Sequence, residues 1–307
     1  MPWKETDVVN LRTEFAMRAM AGSIPFVVLC QQYGISPKTG YKWKQRFLAE
    51  GMDGMSDRSR RPHSSPTRLG EDEVCRLVRL KQAHMHWGPK KIRELCARQG
   101  CSLSVSTVAR ILEKSGLVKH RPRRRHKDCG RIVNRIEAAR PNDLWSVDFK
   151  GCWYSTDKER IEPLTVRDAF SRYVLCTDIL PDGKSDTVRG RFERLFELYG
   201  MPKCIRSDNG SPFACTRAPL GLSRLSAWWV ALGIDLDRGR PGHPQDNGGH
   251  ERMHGDIACQ VEGCVDGDTS ANQAALDTWR REFNNERPHE ALDMRVPADL
   301  YVKSQRK

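Results

Sequence analysis

Three acidic residues stand in settings where a carboxylate is costly unless something pairs with it. Asp148 lies inside the alternating run Leu144-Trp145-Ser146-Val147-Asp148-Phe149. Val147 and Phe149 share one face of such a strand, so Asp148 points to the other. A carboxylate in a central strand is expensive to desolvate without a cation or donor beside it. Asp208, in Arg206-Ser207-Asp208-Asn209-Gly210, falls where a β-rich stretch gives way to a glycine turn, and sites in open α/β sheets favour such strand ends. Glu251, in Asn247-Gly248-Gly249-His250-Glu251-Arg252-Met253-His254, falls in the first turns of a helix. With 59 residues between the first two and 42 between the last two, only a tertiary fold joins them.

Such a trio suits one chemistry. Carboxylate oxygens are preferred ligands of Mg²⁺ and Mn²⁺. Two such ions about 3.5–4 Å apart activate an attacking oxygen and stabilise a leaving one in an in-line phosphoryl displacement, with no protein nucleophile. Taken singly, most acids are solvated or capping; Asp168, between two β-rich runs, reads as a turn residue. Spacing alone is weak evidence for the trio.

The elements that would position these residues form an α/β layer. Leu144–Phe149, Ile161–Val166 and Tyr173–Ile179 read as strands, and Ser185–Tyr199 as a helix carrying Val188, Phe192, Leu195 and Phe196 inward. A strand at Lys203–Ser207, a helix at Gly221–Leu232 and a strand at Ile234–Asp237 come next. Helices at Asn247–Cys259 and Ser270–Asn285 close the unit. This is the order expected of an RNase H-like core, placed at 141–303.

Ahead of it the sequence is helical and basic. Residues 1–140 hold 29 Lys and Arg against 13 Asp and Glu, while 141–307 hold 23 against 26. A basic front joined to a slightly acidic rear points to a binding module for a polyanion, attached to something with a separate task. Residues 1–53 read as a helix-turn-helix. Val8, Leu11 and Phe15 mark one helix and Pro25–Tyr33 a second. Gly34 then turns the chain, Ser36 caps the next helix and Pro37 starts it. In Pro37–Phe47, Trp43 and Phe47 face inward, leaving Lys38, Thr39, Lys42 and Arg46 for a DNA major groove. Residues 54–69 read as a basic linker too poor in apolar residues to fold. Arg58, Arg60 and Arg61 in it either follow phosphates or remain solvated spacer. Residues 70–118 read as a second helix-turn-helix, its last helix capped by Ser104 or Ser106, with Ser106, Thr107 and Arg110 outward. Residues 119–140 form a second basic linker, in which Arg123, Arg124 and Arg125 suit phosphate contact.

The eleven cysteines are odd in number and irregularly spaced. Cys96/Cys101 and Cys259/Cys264, with His84 and His86 upstream of the first pair, fit no common zinc pattern and read as ordinary thiols. The first residues lack an apolar leader, and no apolar run approaches the roughly 18 residues of a membrane span. The expectation is a cytoplasmic, nucleoid-associated protein with reduced thiols and no membrane association.

From Met1 to about Tyr301 the chain resembles bacterial insertion-sequence transposases with an N-terminal helix-turn-helix and a retroviral-integrase-like DDE core. The matching stretches include Met1–Thr6, Gly34-Ile35-Ser36 with Lys38–Trp43, and Asp57–His63. In the core they are Pro141–Trp145 through Asp148–Gly151, Asp168–Tyr173, Arg206–Gly210, Gly221–Ser226, Arg240-Pro241-Gly242, Asn247-Gly248 with His250–His254, and Asn285–Leu292. The resemblance implies a multidomain protein: an all-α DNA-binding front and an RNase H-like integrase core. It implies that Asp148, Asp208 and Glu251 are catalytic and hold Mg²⁺ or Mn²⁺, with Asn209 and Asn247 as supporting polar residues. It further implies double-stranded DNA as partner, both terminal repeats and target, 3′-end cleavage followed by strand transfer, and action as a homo-oligomer. The chain departs from the family after His254, where Gly255-Asp256-Ile257-Ala258-Cys259 replaces a basic run, and at His243 and Asp246. Those departures keep an alternative open, a catalytically impaired DNA-binding relic acting as a regulator. A nuclease for RNA–DNA hybrids is disfavoured, because A-form grooves do not admit a reading helix.

Overall fold

The computed structural model describes residues 7–60, 69–118, 136–215, 217–239 and 247–307. The chain divides into two compact units, Met1–Arg68 and Leu69–Lys307.

In the first unit, α1 (Val8–Ala21), α2 (Phe26–Gln32) and α3 (Pro37–Glu50) enclose Phe15, Ala16, Leu29, Cys30 and Trp43. The α2–α3 turn obeys its sequence signals. Gly34 takes φ +63°, the Ser36 side chain accepts the Thr39 N–H, and Pro37 opens α3. A closing 3-10 turn, Gly51–Met55, buries Met55 completely. Composition alone puts Met55 at the start of the linker. One methionine is enough to extend the fold because Arg12 donates to its carbonyl at 2.9 Å and pairs with Asp57 at 3.1 Å.

The second unit begins with α4 (Glu71–Ala83), α5 (Pro89–Arg98) and α6 (Val105–Lys114) around Leu77, Trp87, Ile92, Cys96, Val108 and Leu112. Ser104, rather than Ser106, caps α6 by accepting the Thr107 N–H. Cys96 and Cys101 pack within this core. Three contacts fasten these helices to the C-terminal part of the same unit. His84 meets Glu282 at 2.9 Å, Lys90 meets Glu290 at 2.6 Å, and Arg98 donates to the Met294 carbonyl at 3.0 Å.

The rest of the unit is a five-stranded sheet in the order β5-β4-β1-β6-β7. It comprises β1 (Leu144–Phe149), β4 (Pro163–Asp168), β5 (Val174–Ile179), β6 (Cys204–Ser207) and β7 (Asp235–Arg238). The β5, β4 and β1 strands are antiparallel, and β1, β6 and β7 run parallel. A separate hairpin of β2 (Trp153–Tyr154) and β3 (Arg160–Ile161) goes beyond the sequence pattern. Two-residue strands carry no readable alternation, and Ile161 belongs to this hairpin rather than to the strand after it. The first core face packs Trp145, Val147, Leu164 and Val166 against α7 (Ser185–Tyr199) and α8 (Arg224–Ala231). On the other side, α9 (Gly248–Gln260) and α10 (Thr269–Asn285) bury Met253, Ile257, Leu276, Trp279 and Phe283 with Trp153, Ile161 and Val174. Asp168 ends β4 fully buried and accepts the N–H of Asn142, the N–H of Ser171 and the Ser171 hydroxyl at 2.6–2.8 Å. It is a turn residue and also a clamp between two loops.

Candidate catalytic site

The β1–β6 register pairs Leu144 with Cys204, Trp145 with Ile205 and Ser146 with Arg206. The same register, continued past the end of β6 at Ser207, brings Asp208 out beside the β1 position of Asp148. The loop after β6 is pinned: Asn209 donates to the Gly239 carbonyl at 2.7 Å, and the Gly239 N–H reaches the Ser207 carbonyl. A Cβ at Gly210 would come within 2.9 Å of the Asp208 carboxylate, so a larger residue there would turn that exposed side chain aside.

Glu251 arrives by another route, in the first turn of α9, where the positive end of the helix dipole favours a carboxylate. The sheet face opposite α9 is polar because β1 and β4 alternate. Ser146 pairs with Arg167 and Asp148 with Thr165. The Thr165 hydroxyl donates to the Asp148 carbonyl at 2.8 Å and meets Nε2 of His250 at 2.7 Å and Nε2 of His254 at 2.8 Å. A hydroxyl has one proton and two acceptor lone pairs, so both imidazoles supply Nε2–H. Burial holds both histidines below their ordinary pKa, reinforced by neighbouring cations; His254 falls to about 4. They are therefore neutral donors that fasten α9 to the strand bearing Asp148. Arg167 adds a second tie, donating to the Gly249 carbonyl at 2.6 Å. A Cβ at Gly249 would meet the Arg167 guanidinium, so a larger residue there would push that buried side chain out of place. Asn247 precedes α9 but its side chain makes no capping bond.

Sequence reasoning misses Thr165, Arg167, His250 and His254 as members of the site. A signal exists for three of them. Arg167 is a charge inside a strand, the same anomaly that marks Asp148, and the two histidines stand four residues apart on one helix face.

Electrostatically, Asp148 senses both of the other acids. Burial, then Asp208 and Glu251, push the Asp148 carboxyl up to about 7, while the Phe149 N–H pulls the other way. Asp148 is half-buried; Asp208 and Glu251 are exposed. Among the described residues no three His, Cys, Asp or Glu side chains are gathered tightly enough to enclose an ion. The donor set nonetheless fits a hard divalent cation: oxygen ligands only, with crowded negative charge that such a cation offsets.

Of the DNA-contact candidates, Lys38 and Lys42 are exposed on α3, and Thr39 is half-buried. Arg46 is half-buried, with its guanidinium 5.0 Å from the Trp43 ring centre, a cation–π contact. Arg58 is exposed but pairs with Glu50 of α3, and Arg60 is exposed. On α6, Ser106 and Arg110 are exposed and Thr107 half-buried, its hydroxyl 2.9 Å from that of Ser104. Arg61, Arg123, Arg124, Arg125, His243 and Asp246 lie outside the described residues, as do Met1–Thr6, Pro62-His63 and Arg240-Pro241-Gly242. Among the described residues no helix is long and apolar enough to cross a membrane.

Known families match in the same order along the chain. A helix-turn-helix domain matches residues 11–63 and a homeodomain-like domain 39–112. Two integrase core domain models match 138–244 and 232–297. An uncharacterized 31.7 kDa protein of insertion element IS407 from Burkholderia multivorans is 29% identical over 246 residues, covering 78% of this chain and 84% of that protein. The transposase for insertion sequence element IS629 of Shigella sonnei is 24% identical over 285 residues, covering 88% and 89%. Among solved structures, the magnesium-bound HTLV-2 integrase catalytic core domain in its trimeric form aligns with a TM-score of 0.43 at 18% identity, covering 54% of this chain and all of that one. With helix-turn-helix domains ahead of an integrase core, and insertion-element proteins alignable along most of its length, the chain belongs to the insertion-sequence transposases that carry an integrase core.

Proposed function

We propose that this chain, acting as a homo-oligomer, binds the terminal repeats of its element and cuts and joins DNA at Asp148, Asp208 and Glu251. The observation that supports this reading is the placement of three acids from separate segments: Asp148 on β1, Asp208 just after the parallel neighbour β6, and Glu251 in the first turn of α9, with Asp148 raised by burial and by the other two. Asp148 and Asp208 would hold cations from the sheet and Glu251 from α9. Bound Mg²⁺ or Mn²⁺ would supply charge neutralisation at the phosphate and activation of the attacking oxygen. In the first reaction water attacks a phosphorus, a new P–O bond forms and the P–O3′ bond breaks, leaving a 3′-hydroxyl. In the second that hydroxyl attacks a target phosphodiester, its proton leaves to solvent and the displaced 3′-oxygen takes one up. The protein contributes position throughout: Thr165 and Arg167 fix the helix of Glu251 against the strand of Asp148.

A rival reading, a DNA-binding relic with an impaired core, draws on the absence of an ion-sized carboxylate cage among the described residues. One experiment separates the two. Full-length protein is mixed with end-labelled terminal-repeat duplex and Mn²⁺, and nicked and joined products are resolved. Nicking and joining that vanish in Asp148→Asn, with binding retained, support the enzyme. A wild-type protein that binds duplex yet never nicks or joins leaves only the relic.

A further inference from the structure

One face of α9, built from Gly249, Arg252, Met253 and Asp256, closes a cavity of about 300 Å³. Five cations line it from five places in the fold: Lys91 on α5, Arg167 on β4, Arg172 in the turn after β4, Arg252 on α9, and Arg287 beyond α10. Two carboxylates also reach it, and both have partners: Asp256 pairs with Arg287 at 2.7 Å and Glu290 with Lys90 at 2.6 Å. Lys91 belongs to the second helical domain, and the contacts of His84, Lys90 and Arg98 hold that domain against the core on either side of it.

The walls of the cavity carry buried donors with no partner among the described residues. Arg167 and Arg287 are each more than nine-tenths buried, yet Nε of the first and both Nε and Nη1 of the second find no partner among the described residues. Buried N–H donors are seldom left so. Arg172 takes φ +64° to occupy its place, a conformation that non-glycine side chains seldom adopt. Burial first, and then the neighbouring cations, bring Lys91 down to about 8 and His289, on the same wall, to about 3. Water would satisfy the donors but leave the like charges uncompensated. An oxyanion does both, and the planar guanidinium fork matches phosphate oxygens.

We propose that this cavity is a phosphate site, filled by one backbone phosphate of the DNA strand being processed. It extends the reading above, on which the identity of the strand rests. A phosphate held jointly by Lys91 and Arg252 would link the second helix-turn-helix to the helix of Glu251, so that DNA engaged by the former steadies the latter.

The test uses the full chain as Asp148→Asn, without divalent metal, so that it stands whether or not the chemistry proceeds. Brief acylation at pH 8 followed by peptide mass spectrometry reads Lys91 against exposed Lys303. Inorganic phosphate, and separately duplex DNA, are the protecting agents. In parallel, duplex affinity is measured against salt for the parent and for Lys91→Gln, a half-exposed position whose change leaves the packing intact. Protection of Lys91 by DNA, with a log–log salt slope about 0.9 shallower in Lys91→Gln, bears the site out. Protection by inorganic phosphate alone marks a site for a free anion and overturns the DNA assignment. No protection by either, or an unchanged slope, shows a cavity that holds only water.

Discussion

The sheet and the helix deliver their carboxylates by unlike means. Asp148 lies on β1 and Asp208 directly after β6, two adjacent parallel strands whose register is set by a backbone ladder. Glu251 rides on α9, which is tied to the polar face of the sheet by the side chains of Thr165 and Arg167 and packed through Met253 and Ile257. A ladder shares its load over many bonds, whereas a side-chain node fails with one substitution. The pair on the sheet is therefore the fixed part of the site and the helix the adjustable part.

Removing a member from each side gives the largest effect and tests whether the comparison holds. Asp148→Asn and Glu251→Gln should each lower cutting and joining on the order of 10³-fold or more. Stability should separate them. Asp148→Asn deletes a half-buried charge repelled by two others and should raise the denaturation midpoint. Glu251→Gln, at an exposed position, should stay within about 0.5 kcal/mol of the parent. Equal stability changes would mean that the two carboxylates sit in equivalent surroundings after all.

Cutting the node itself comes next. Thr165→Val keeps the shape but strands the Asp148 carbonyl and two imidazole N–H groups, a cost of about 3 kcal/mol. Joining should fall by about 10–100-fold, the range seen when outer partners of metal-site ligands are lost, and Thr165→Ser should recover most of it. Hydrogen exchange supplies the discriminating readout: α9 should exchange faster while β1 and β6 stay protected. Uniform loosening would show that the node belongs to the global core.

The same division explains which parts were legible in the sequence. Strands β1 and β6, the helices α7 and α9, and the Ser36 cap follow from local alternation, helical spacing and capping chemistry, so Asp148, Asp208 and Glu251 can be placed from their neighbours. The node cannot be, because Thr165 gains its role only when β4 pairs beside β1 and α9 lies over both. The phosphate cavity is furthest from view, since its cations come from five separate segments.

Acid should find the helix side first. His254 on α9 and His289 after α10 are held at about 4 and about 3 by burial and nearby cations. Because these values lie below the ordinary 6.5, the unfolded chain takes up more protons in acid. The stability contributed by the neutral rings is full above about pH 6.5 and drains as pH falls toward 4 and 3. Between pH 6.5 and 5 each histidine accounts for about 2 kcal/mol. Denaturation at pH 7 and 5, with peptide-resolved exchange, should show α9 and α10 opening before β1 and β6. His289→Gln should reduce the loss, and an unchanged loss would place the acid sensitivity elsewhere.

The smallest effect concerns Gly255, which interrupts the family's basic run and sits in the middle of α9. The helix continues through it to Gln260, and the neighbouring Asp256 is neutralised by Arg287, so the departure has not broken the element that carries Glu251. A Cβ at Gly255 meets nothing within 4 Å, and its φ is not left-handed. Gly255→Ala should therefore stabilise the protein by about 0.5–1 kcal/mol, mainly by limiting the unfolded chain. If α9 is the adjustable side, that gain should slow exchange within α9 alone and leave β1 and β6 as they were. A variant that gains nothing would mean that α9 is already as firmly held as the sheet, and the contrast between ladder and node would disappear.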